Sequence, residues 1–207
     1  MGIYNCADTL VEALESLETQ TYKNFKVILC DDGSKDATLK IAKEWADTRP
    51  NYTVIQNEHN MGLNVTLNHC LKYVDTEFVA RMDGDDRSLS HRFEQEVKFL
   101  DEHPEYAIVS GPMHYFDEQG VFMKSKGRGA VTKQDFIAGT PFCHAPCMVR
   151  SEVYKAVKGY SVDKRLLRME DYHLWFKMYA AGYRGYMLEE PIYPKIRKQS
   201  QWQSQLQ

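Results

Sequence analysis

Three aspartates crowd the end of an apolar segment in the middle of the chain. Asp83, Asp85 and Asp86 follow the run FVARM, with Gly84 between the first two. Carboxylates two positions apart at a strand end point the same way, because side chains alternate along a strand. Mg²⁺ is commonly held by one or two carboxylates, with substrate phosphates and water completing the shell. The spacing therefore favours a divalent cation bound together with a diphosphate, although a solvated acidic turn would have the same sequence.

Polar residues also follow the two preceding apolar segments. The segment that ends at Cys30 is followed by Asp31 and Asp32, and the next one by Asn60 and Gly62. A carboxylate in the first loop could accept the ring N–H or the hydroxyls of a nucleoside, and Gly62 would let the backbone approach a ligand. Capping of the next helix and a plain turn are the structural alternatives for these two loops.

A third acidic feature opens a strongly amphipathic segment. Glu170 and Asp171 stand at its start, where the helix dipole favours negative charge, so a structural role would suffice. A carboxylate held beside an acceptor hydroxyl could instead act as a general base. Arg168, just upstream, could face a phosphate. The motif CHAPC lacks a second pair of zinc ligands, which disfavours a structural zinc site.

These groups can meet only if the intervening elements place them together. From Gly2 to His103, apolar runs alternate with helical periodicity in the order β-α-β-α-β-α-β-α. The order predicts an α/β fold with a mostly parallel, Rossmann-type central sheet and helices on both faces. Ligands of such sheets bind outside the carboxyl ends of the strands, so the acidic loops should converge on one edge. Ser90 is expected to cap the last of these helices.

The second half of the chain is less regular. Residues 113–125 predict a β-hairpin with its turn at Glu118 to Gly120, and Thr132 precedes a short helix that it could cap. The segment from Cys143 to Val157 predicts a strand followed by a helix. We therefore expect one domain, 1–207, with an irregular second half.

The composition excludes several classes of protein. A chain of 207 residues with a net charge of −3 has no global attraction to nucleic acid. Its apolar runs, of about six residues, are far shorter than the ~20 that a membrane span needs. The five scattered cysteines fit reduced thiols and a cytoplasmic location. The opening MGIYN has the pattern of a strand whose beginning is missing, so we expect the first strand to be incomplete.

Five segments together resemble a known family. In order and approximate spacing, GIYN, DDGSKDAT, NMGLNVTLN, RMDGDD and MEDYHLW are similar to motifs of the family 2 glycosyltransferases, over about residues 2 to 188. The resemblance implies a GT-A fold and inverting transfer from a nucleotide sugar, by family habit a UDP-sugar, to a saccharide or lipid-linked acceptor. Such enzymes serve polysaccharide biosynthesis, and a lipid-linked acceptor would bring the enzyme to the inner membrane face. The nucleotide-binding half would be 1–112, the acceptor-side half 113–198 and a polar tail 199–207.

The resemblance also implies roles for individual residues. Those expected to bind the nucleotide are Tyr4, Asn5, Asp32, Asn60, Gly62 and Asp83. Asp85, together with Asp83, is expected to coordinate Mn²⁺ or Mg²⁺, and Asp86 could share this role. The residues expected around the acceptor are Asp171 as the general base, Glu170 beside it, His144 and Arg168.

The chain departs from the family pattern at a few positions, and alternatives remain open. His173 stands where the family often has Asp, and the Q-x-x-R-W signature of processive synthases is absent, so we expect a single-addition enzyme. A non-catalytic nucleotide-sugar binder would keep Asp32 and Asp85 but would not need Asp171. A HAD-type phosphatase would use the first aspartate of D-x-D as its nucleophile, although that motif usually lies near the N-terminus. A sugar nucleotidylyltransferase would need a Gly-rich N-terminal loop that is not visible.

Overall fold

Helices alternate with strands through the first half of the molecule, as the sequence predicts. The computed structural model describes residues 1–117 and 120–196. The α-helices are α1 (Ala7–Glu18), α2 (Thr38–Ala46), α3 (Leu63–Leu71), α4 (Arg92–Glu102), α5 (Ser151–Ala156) and α6 (Glu170–Ala180). Two short 3-10 helices lie at Lys133–Ala138 and Lys164–Leu166. Among the helices of the described ranges, none combines the length and the apolar character that crossing a bilayer requires.

The strands form three hydrogen-bonded groups. They are β1 (Gly2–Ile3), β2 (Val27–Asp31), β3 (Tyr52–Gln56), β4 (Phe78–Ala80), β5 (Ile108–Ser110), β6 (Met113–Asp117), β7 (Gly120–Lys124), β8 (Gly129–Ala130), β9 (Met148–Arg150), β10 (Gly185–Met187) and β11 (Tyr193–Ile196). The first group has the order β1-β2-β3, the second β4-β9-β5-β10-β8 and the third β11-β6-β7.

The predicted α/β architecture with a parallel sheet is confirmed, and one reversed strand refines it. β1, β2 and β3 pair in parallel, as do β5 with β10 and β6 with β11. β9 comes from the second half of the chain and pairs antiparallel with both β4 and β5. Because β9 is antiparallel to both neighbours, β4 and β5 run in the same direction on either side of it.

Amphipathic helices bury their apolar stripes in this layout. Leu10, Leu14 and Leu17, spaced three and four apart on α1, are all buried, and this helix packs against α2. On α6, Leu174 and Trp175 are buried in a second apolar cluster. In both helices the buried side is thus formed by apolar residues at helical spacing.

Of the two predicted helix caps, one is absent and one is present. The predicted cap at Ser90 is wrong, because α4 begins at Arg92 with His91 before it and no side-chain cap bond. Thr132 does cap the first 3-10 helix, in a reciprocal pair with Asp135. The hairpin of β6 and β7 is confirmed, while residues 118–119 of its turn and the tail 199–207 lie outside the described residues.

A slot separates β2 from β4. β1 pairs with β2 only through Gly2 and Ile3, which face Cys30 and Asp31 at the carboxyl end of β2. The space alongside the first half of β2 is a cavity of about 540 Å³, and β4 lines its other wall. Its lining is mainly apolar and includes Val27, Ile28, Phe78, Val79, Ala80 and Val97. We call this cavity the β2–β4 slot.

Candidate active site

The loop after β4 gathers the three aspartates that the sequence singles out. One carboxylate oxygen from each of Asp83, Asp85 and Asp86 lies within 4.8 Å of the other two. Asp85 is exposed, Asp83 is partly buried and Asp86 is buried. No other His, Cys, Asp or Glu group of this kind occurs in the described parts of the chain. Three clustered carboxylates fit a hard divalent cation, which prefers oxygen ligands.

Arg81 pairs with one of the three carboxylates. Its buried guanidinium donates to both oxygens of Asp83, with 2.5 Å between Nη1 and Oδ2. Burial alone would lower the pKa of Arg81, but the adjacent Asp83 carboxylate raises it, so the ion pair persists at neutral pH. The fork of the guanidinium fixes the carboxylate plane of Asp83. Asp85 is thereby left as the exposed carboxylate of the cluster.

A second buried pair, between an arginine and a carboxyl group of α4, supports Arg81. The Arg92 guanidinium donates to the backbone oxygens of Arg81, at 2.9 Å, and of Cys147, at 3.3 Å. Its Nε donates to Glu96 over 3.0 Å, and both side chains are fully buried. Burial raises the pKa of Glu96 to about 8, against the opposing effect of Arg92. Arg92 therefore connects α4 to the residue that follows β4 and to the residue that precedes β9.

The carboxylate of Asp32 organises the loop after β3. Its oxygens accept from the Asn57 side chain over 2.8 Å, from the Met61 amide over 2.8 Å and from the Gly62 amide over 2.9 Å. Asp32 is buried, and these three donors occupy both of its oxygens. The residue holds the loop that contains the predicted Asn60, so its direct contact with a nucleobase stays a prediction.

The neighbouring Asp31 shapes the loop after β2. Its Oδ2 accepts from the amides of Gly33 and Ser34, both over 3.1 Å, while its Oδ1 is buried without a partner. Gly33 adopts a φ of +74°, and a Cβ there would lie 2.7 Å from the carbonyl carbon of His59. The loops after β2 and β3 are therefore in direct backbone contact, which only glycine permits at this position.

Tyr4 and Asn5 lie against the same loop. Asn5 has a φ of +46°, its amide donates to Ser34 Oγ over 3.0 Å, and its Oδ1 accepts from the Lys35 amide over 2.9 Å. Tyr4 is exposed beside it. Asp36 accepts from the amide of Thr38, the first residue of α2, over 3.0 Å, while Ala37 occupies the N-cap position without a side-chain bond.

The start of α1 joins these loops to the aspartate loop. Thr9 Oγ1 donates to the backbone oxygen of Gly84 over 3.0 Å. A Cβ on Gly84 would lie 2.7 Å from the sulfur of Cys6, so this glycine allows the close contact between the two segments. The predicted nucleotide and metal residues of the first half thus meet around one helix start, at the carboxyl ends of β1 to β4.

His144 extends this region towards the second half of the chain. Ala80 at the end of β4 faces Met148 at the start of β9, so the residues just before β9 lie beside the aspartate loop. His144 Nε2 is 2.9 Å from the hydroxyl of Tyr160. Its ring meets that of Trp175 on α6 at a centroid distance of 5.8 Å. His144 therefore contacts α6, the helix that carries the predicted base, from the segment that precedes β9.

Glu170 and Asp171 form the first turn of α6. Asp171 Oδ1 accepts from the Tyr172 amide over 2.7 Å, and the positive end of the helix dipole favours its charge. Arg168 precedes the helix with a φ of +68°, a left-handed conformation that is costly for a residue with a Cβ. The loop into α6 is therefore held in a strained conformation two residues before Glu170.

Two functional features were not predicted from the sequence. Arg81 lies within the quoted motif, but its pairing with Asp83 follows from burial that the motif does not reveal. Arg92 and Glu96 have the i, i+4 spacing of an ordinary exposed helix pair.

The β2–β4 slot, which is the larger cavity described, is lined by Arg81 and Met82 but by none of the three aspartates. Cavity size therefore does not identify the site, whereas the carboxylate cluster does.

The family model and the similar sequences all concern glycosyltransferases. The family model described as Glycosyl transferase family 2 matches residues 1–158. EpsE of Bacillus subtilis (strain 168), named as a glycosyltransferase, is 45% identical over 207 residues, which covers 97% of this chain and 72% of EpsE. WfaP of Escherichia coli, named a UDP-Glc:α-D-GlcNAc-diphosphoundecaprenol β-1,3-glucosyltransferase, is 29% identical over 194 residues, covering 89% of this chain and 70% of WfaP.

Solved structures share the fold. Residues 1–349 of Staphylococcus aureus TarS, solved with UDP-GlcNAc, superpose with a TM-score of 0.80 at 25% identity, over 96% of this chain and 57% of that chain. The mannosyltransferase PcManGT of Pyrobaculum calidifontis, solved with GDP-Man and Mn²⁺, gives a TM-score of 0.76 at 20% identity, over 99% and 57%. The chain therefore spans less than two thirds of these solved chains. These likenesses confirm the predicted GT-A-like α/β fold.

Proposed function

Because the chain belongs to glycosyl transferase family 2, we propose that it transfers a sugar from a nucleotide sugar to a hydroxyl of a saccharide or lipid-linked acceptor, with inversion. The observation that carries the proposal is the meeting of the aspartate cluster with the loops after β1, β2 and β3 around the start of α1. UDP-sugars are the proposed donors, since TarS was solved with UDP-GlcNAc and the name of WfaP includes UDP-Glc.

The nucleoside would lie against the loops at the carboxyl ends of the first strands. Tyr4 is exposed and Asn5 is fixed by two hydrogen bonds, so both can present a constant surface to the base. Asp32 positions Asn60 and Gly62 through the bonded amides of their loop. A surface that is already ordered before binding loses less entropy when the nucleotide arrives.

The diphosphate would lie at the aspartate cluster. Asp85, with Asp83, would hold Mn²⁺ or Mg²⁺, and Asp86 lies close enough to share the ion. When bound, the cation would neutralise the charge that develops on the departing nucleoside diphosphate. Arg81 keeps the carboxylate of Asp83 in one orientation, which favours a ribose or metal contact of fixed direction.

Asp171 is the proposed general base. It would take the proton of the acceptor hydroxyl while that oxygen bonds to the anomeric carbon and the bond to the diphosphate breaks on the opposite face. One displacement of this kind inverts the anomeric centre. Glu170 lies beside the base, and His144 and Arg168 would contact the acceptor. A general base typically contributes about 10²–10⁴-fold, so positioning and electrostatics must supply the rest of the rate.

Replacement of the base tests the mechanism. Asp171→Asn should keep its affinity for UDP with Mn²⁺ in calorimetry but lose at least about 100-fold in transfer from a labelled UDP-sugar. Glu152→Gln, which changes an acid in the first turn of α5, is the matched control and should retain full turnover. Undiminished transfer by Asp171→Asn would remove this residue from the role.

Binding and turnover assays with the unaltered protein separate the alternative functions. Metal-dependent binding of UDP-sugars without any turnover by the unaltered protein would support a non-catalytic binder. Phosphate release from a simple monoester would support a phosphatase. Consumption of a UDP-sugar with release of UDP, in the presence of Mn²⁺, would support the transferase. We also propose that the enzyme works in the cytoplasm, with peripheral contact to the inner membrane face.

A further inference from the structure

A buried chain of hydrogen bonds connects Asp32 to α3. Asn57 directly follows β3, and its backbone amide donates to the backbone oxygen of Asp31 over 2.8 Å. Its side-chain Nδ2 donates to Asp32 Oδ1 over 2.8 Å and to Thr66 Oγ1 on α3 over 3.0 Å. Asn57, Asp32 and Thr66 are all buried. Polar groups at such depth are costly when unpaired, so these bonds hold the three side chains in one arrangement.

Asp32 fixes the donor and acceptor roles along this chain. An ionised carboxylate only accepts, so the Asn57 atom that faces it is the amide nitrogen, and the amide oxygen points away. That oxygen lies 2.8 Å from His69 Nδ1, which must therefore carry a proton and donate it. Thr66 Oγ1 accepts from Asn57 and donates to the backbone oxygen of Gly62 over 3.0 Å. We call Asp32, Asn57, Thr66 and His69 the Asn57 network.

The Asn57 side chain determines how Asp32 meets the loop after β3. Oδ1 of Asp32 accepts from Asn57 and from the amide of Met61, both over 2.8 Å. Among residues 1–117 and 120–196, Oδ2 accepts only from the amide of Gly62, over 2.9 Å. A carboxylate oxygen accepts about two hydrogen bonds, so Oδ1 is fully used and Oδ2 has one position left. Asn57 thus sets which oxygen of Asp32 can still accept from a ligand.

His69 in turn holds the amide of Asn57. Cys30 Sγ, fully buried on β2, lies 3.6 Å from His69 Nδ1 and 3.8 Å from Asn57 Oδ1. A thiol is only a weak donor, so His69 is the main partner of the Asn57 oxygen. Without His69 the amide could turn its oxygen towards the carboxylate of Asp32, where two acceptors would face each other. His69 therefore keeps the donating end of Asn57 on Asp32.

We propose that Asn57 and His69 are positioning residues for the nucleoside of the donor, acting through Asp32 and the loop that contains Asn60. The inference rests on the proposed function and adds two residues to its nucleoside site. Asn57 is buried and His69 bonds to it, so their effect reaches a ligand through Asp32. The aspartate cluster lies on the separate loop after β4, so binding of a diphosphate with its cation does not depend on this network.

Two ligands separate this role from a role in folding. UDP with Mn²⁺ uses both the nucleoside and the diphosphate sites, whereas inorganic pyrophosphate with Mn²⁺ uses only the second. Asn57→Ala should weaken UDP binding about tenfold or more, because a hydrogen bond to a charged group is lost. It should leave pyrophosphate binding unchanged. Asn68→Ala is the matched control, since it removes two hydrogen bonds between α3 and the backbone of Tyr160, at 2.8 and 2.9 Å, but none of this network.

A pair of substitutions tests His69. His69→Asn places an amide nitrogen near the position of Nδ1 and should keep the affinity for UDP, whereas His69→Leu removes the donor and should weaken it about fivefold. In transfer assays, Asn57→Ala and His69→Leu should raise KM for the UDP-sugar and keep kcat, the signature of lost binding in the ground state. A purely structural role would lower the melting temperature of these variants without raising KM.

The outcomes distinguish this inference from the proposed function. If Asn57→Ala binds UDP as the unaltered protein does, or if Asn68→Ala weakens UDP binding equally, the inference is overturned while transfer by the unaltered protein still supports the function. Equal UDP affinities of His69→Asn and His69→Leu overturn the role of His69, and this pair decides the inference if Asn57→Ala does not fold. UDP binding that depends on Asn57, without transfer by the unaltered protein, supports the inference and overturns the transferase. A protein that binds no UDP overturns both.

Discussion

Asp85 and Asp83 share a motif but not an environment. Asp83 is paired with the buried Arg81, whereas Asp85 is exposed within the same cluster. A carboxylate that is already paired with a guanidinium gains less electrostatic energy from binding a cation than a carboxylate without such a pair. Asp85 should therefore contribute more to metal affinity than Asp83 does.

Replacement of Asp85 tests this ranking. Asp85→Ala should abolish the Mn²⁺-dependent part of UDP binding, because it removes the exposed ligand from the cluster. Asp8→Ala, an exposed acid in the first turn of α1, should leave that part intact. Isothermal calorimetry with and without Mn²⁺ measures both. An unchanged affinity in Asp85→Ala would mean that the ion lies elsewhere.

Some contacts of the site could be predicted from the sequence, and others could not. The D-x-D spacing predicts that the carboxylates cluster, because period-2 geometry needs only neighbouring positions. The pairing of Arg81 with Asp83, and of Arg92 with Glu96, depends on which side of β4 and α4 is buried. Burial of a charged side chain is decided by distant elements, so no local pattern reveals it.

At the scale of elements, backbone contact between loops sets the shape of the site. Gly33→Ala should reduce the free energy of unfolding by more than about 2 kcal/mol, since it combines a left-handed φ with a Cβ in contact with backbone. Gly182→Ala, just after α6, is the matched control, because it also has a positive φ but no atom within 4 Å of the added Cβ. It should cost only about 1 kcal/mol. Urea denaturation measures both, and equal costs would show that the contact with His59 is unimportant.

The β2–β4 slot offers a second test at this scale. A short apolar, strand-forming segment added before Met1 should raise the melting temperature by several degrees, because ~1 kcal/mol of added stability is worth about 2–4 °C in a domain of this size. The Met1 amine lies 2.7 Å from the backbone oxygen of Ile28, so an added segment would start beside β2. A Gly-Ser segment of equal length is the control. Identical melting temperatures for the two versions would show that the slot is not filled.

The helices and the early strands could be predicted from local periodicity, but the pairing of β4 could not. Its partner β9 begins 68 positions after Ala80, at Met148. A short apolar run such as FVA looks the same whether its neighbour is parallel or antiparallel. The antiparallel insertion of β9 between β4 and β5 therefore required the three-dimensional structure.

At the scale of the whole molecule, stability should depend on pH through Glu96. Its pKa is raised from 4.5 to about 8 by burial, so the unfolded chain releases this proton at lower pH than the folded one. The contribution of the group is full below pH 4.5 and is lost as the pH rises to about 8. Over that window the free energy of unfolding should fall by up to about 1.4 kcal/mol per pH unit.

Replacing Glu96 with an uncharged residue tests whether it causes this pH dependence of the free energy of unfolding. Glu96→Gln cannot ionise, so its free energy of unfolding should vary less between pH 5 and 8 than that of the unaltered protein. Glu102→Gln changes an exposed acid at the end of the same helix and should keep the original slope. Denaturant titrations at several pH values give the slopes. Parallel curves for the unaltered protein and Glu96→Gln would exclude Glu96 as the source.

The β2–β4 slot has a consequence for behaviour at high concentration. In the ranges that the structure covers, β4 pairs on one side only, with β9, and the first half of β2 has β3 but no strand of β1 beside it. Two apolar strand margins that face a cavity form a template for an extended segment from another molecule. An unfilled slot should therefore favour ordered, insoluble aggregates that start at this position at high concentration, and a strand that occupies the slot should keep the protein in solution.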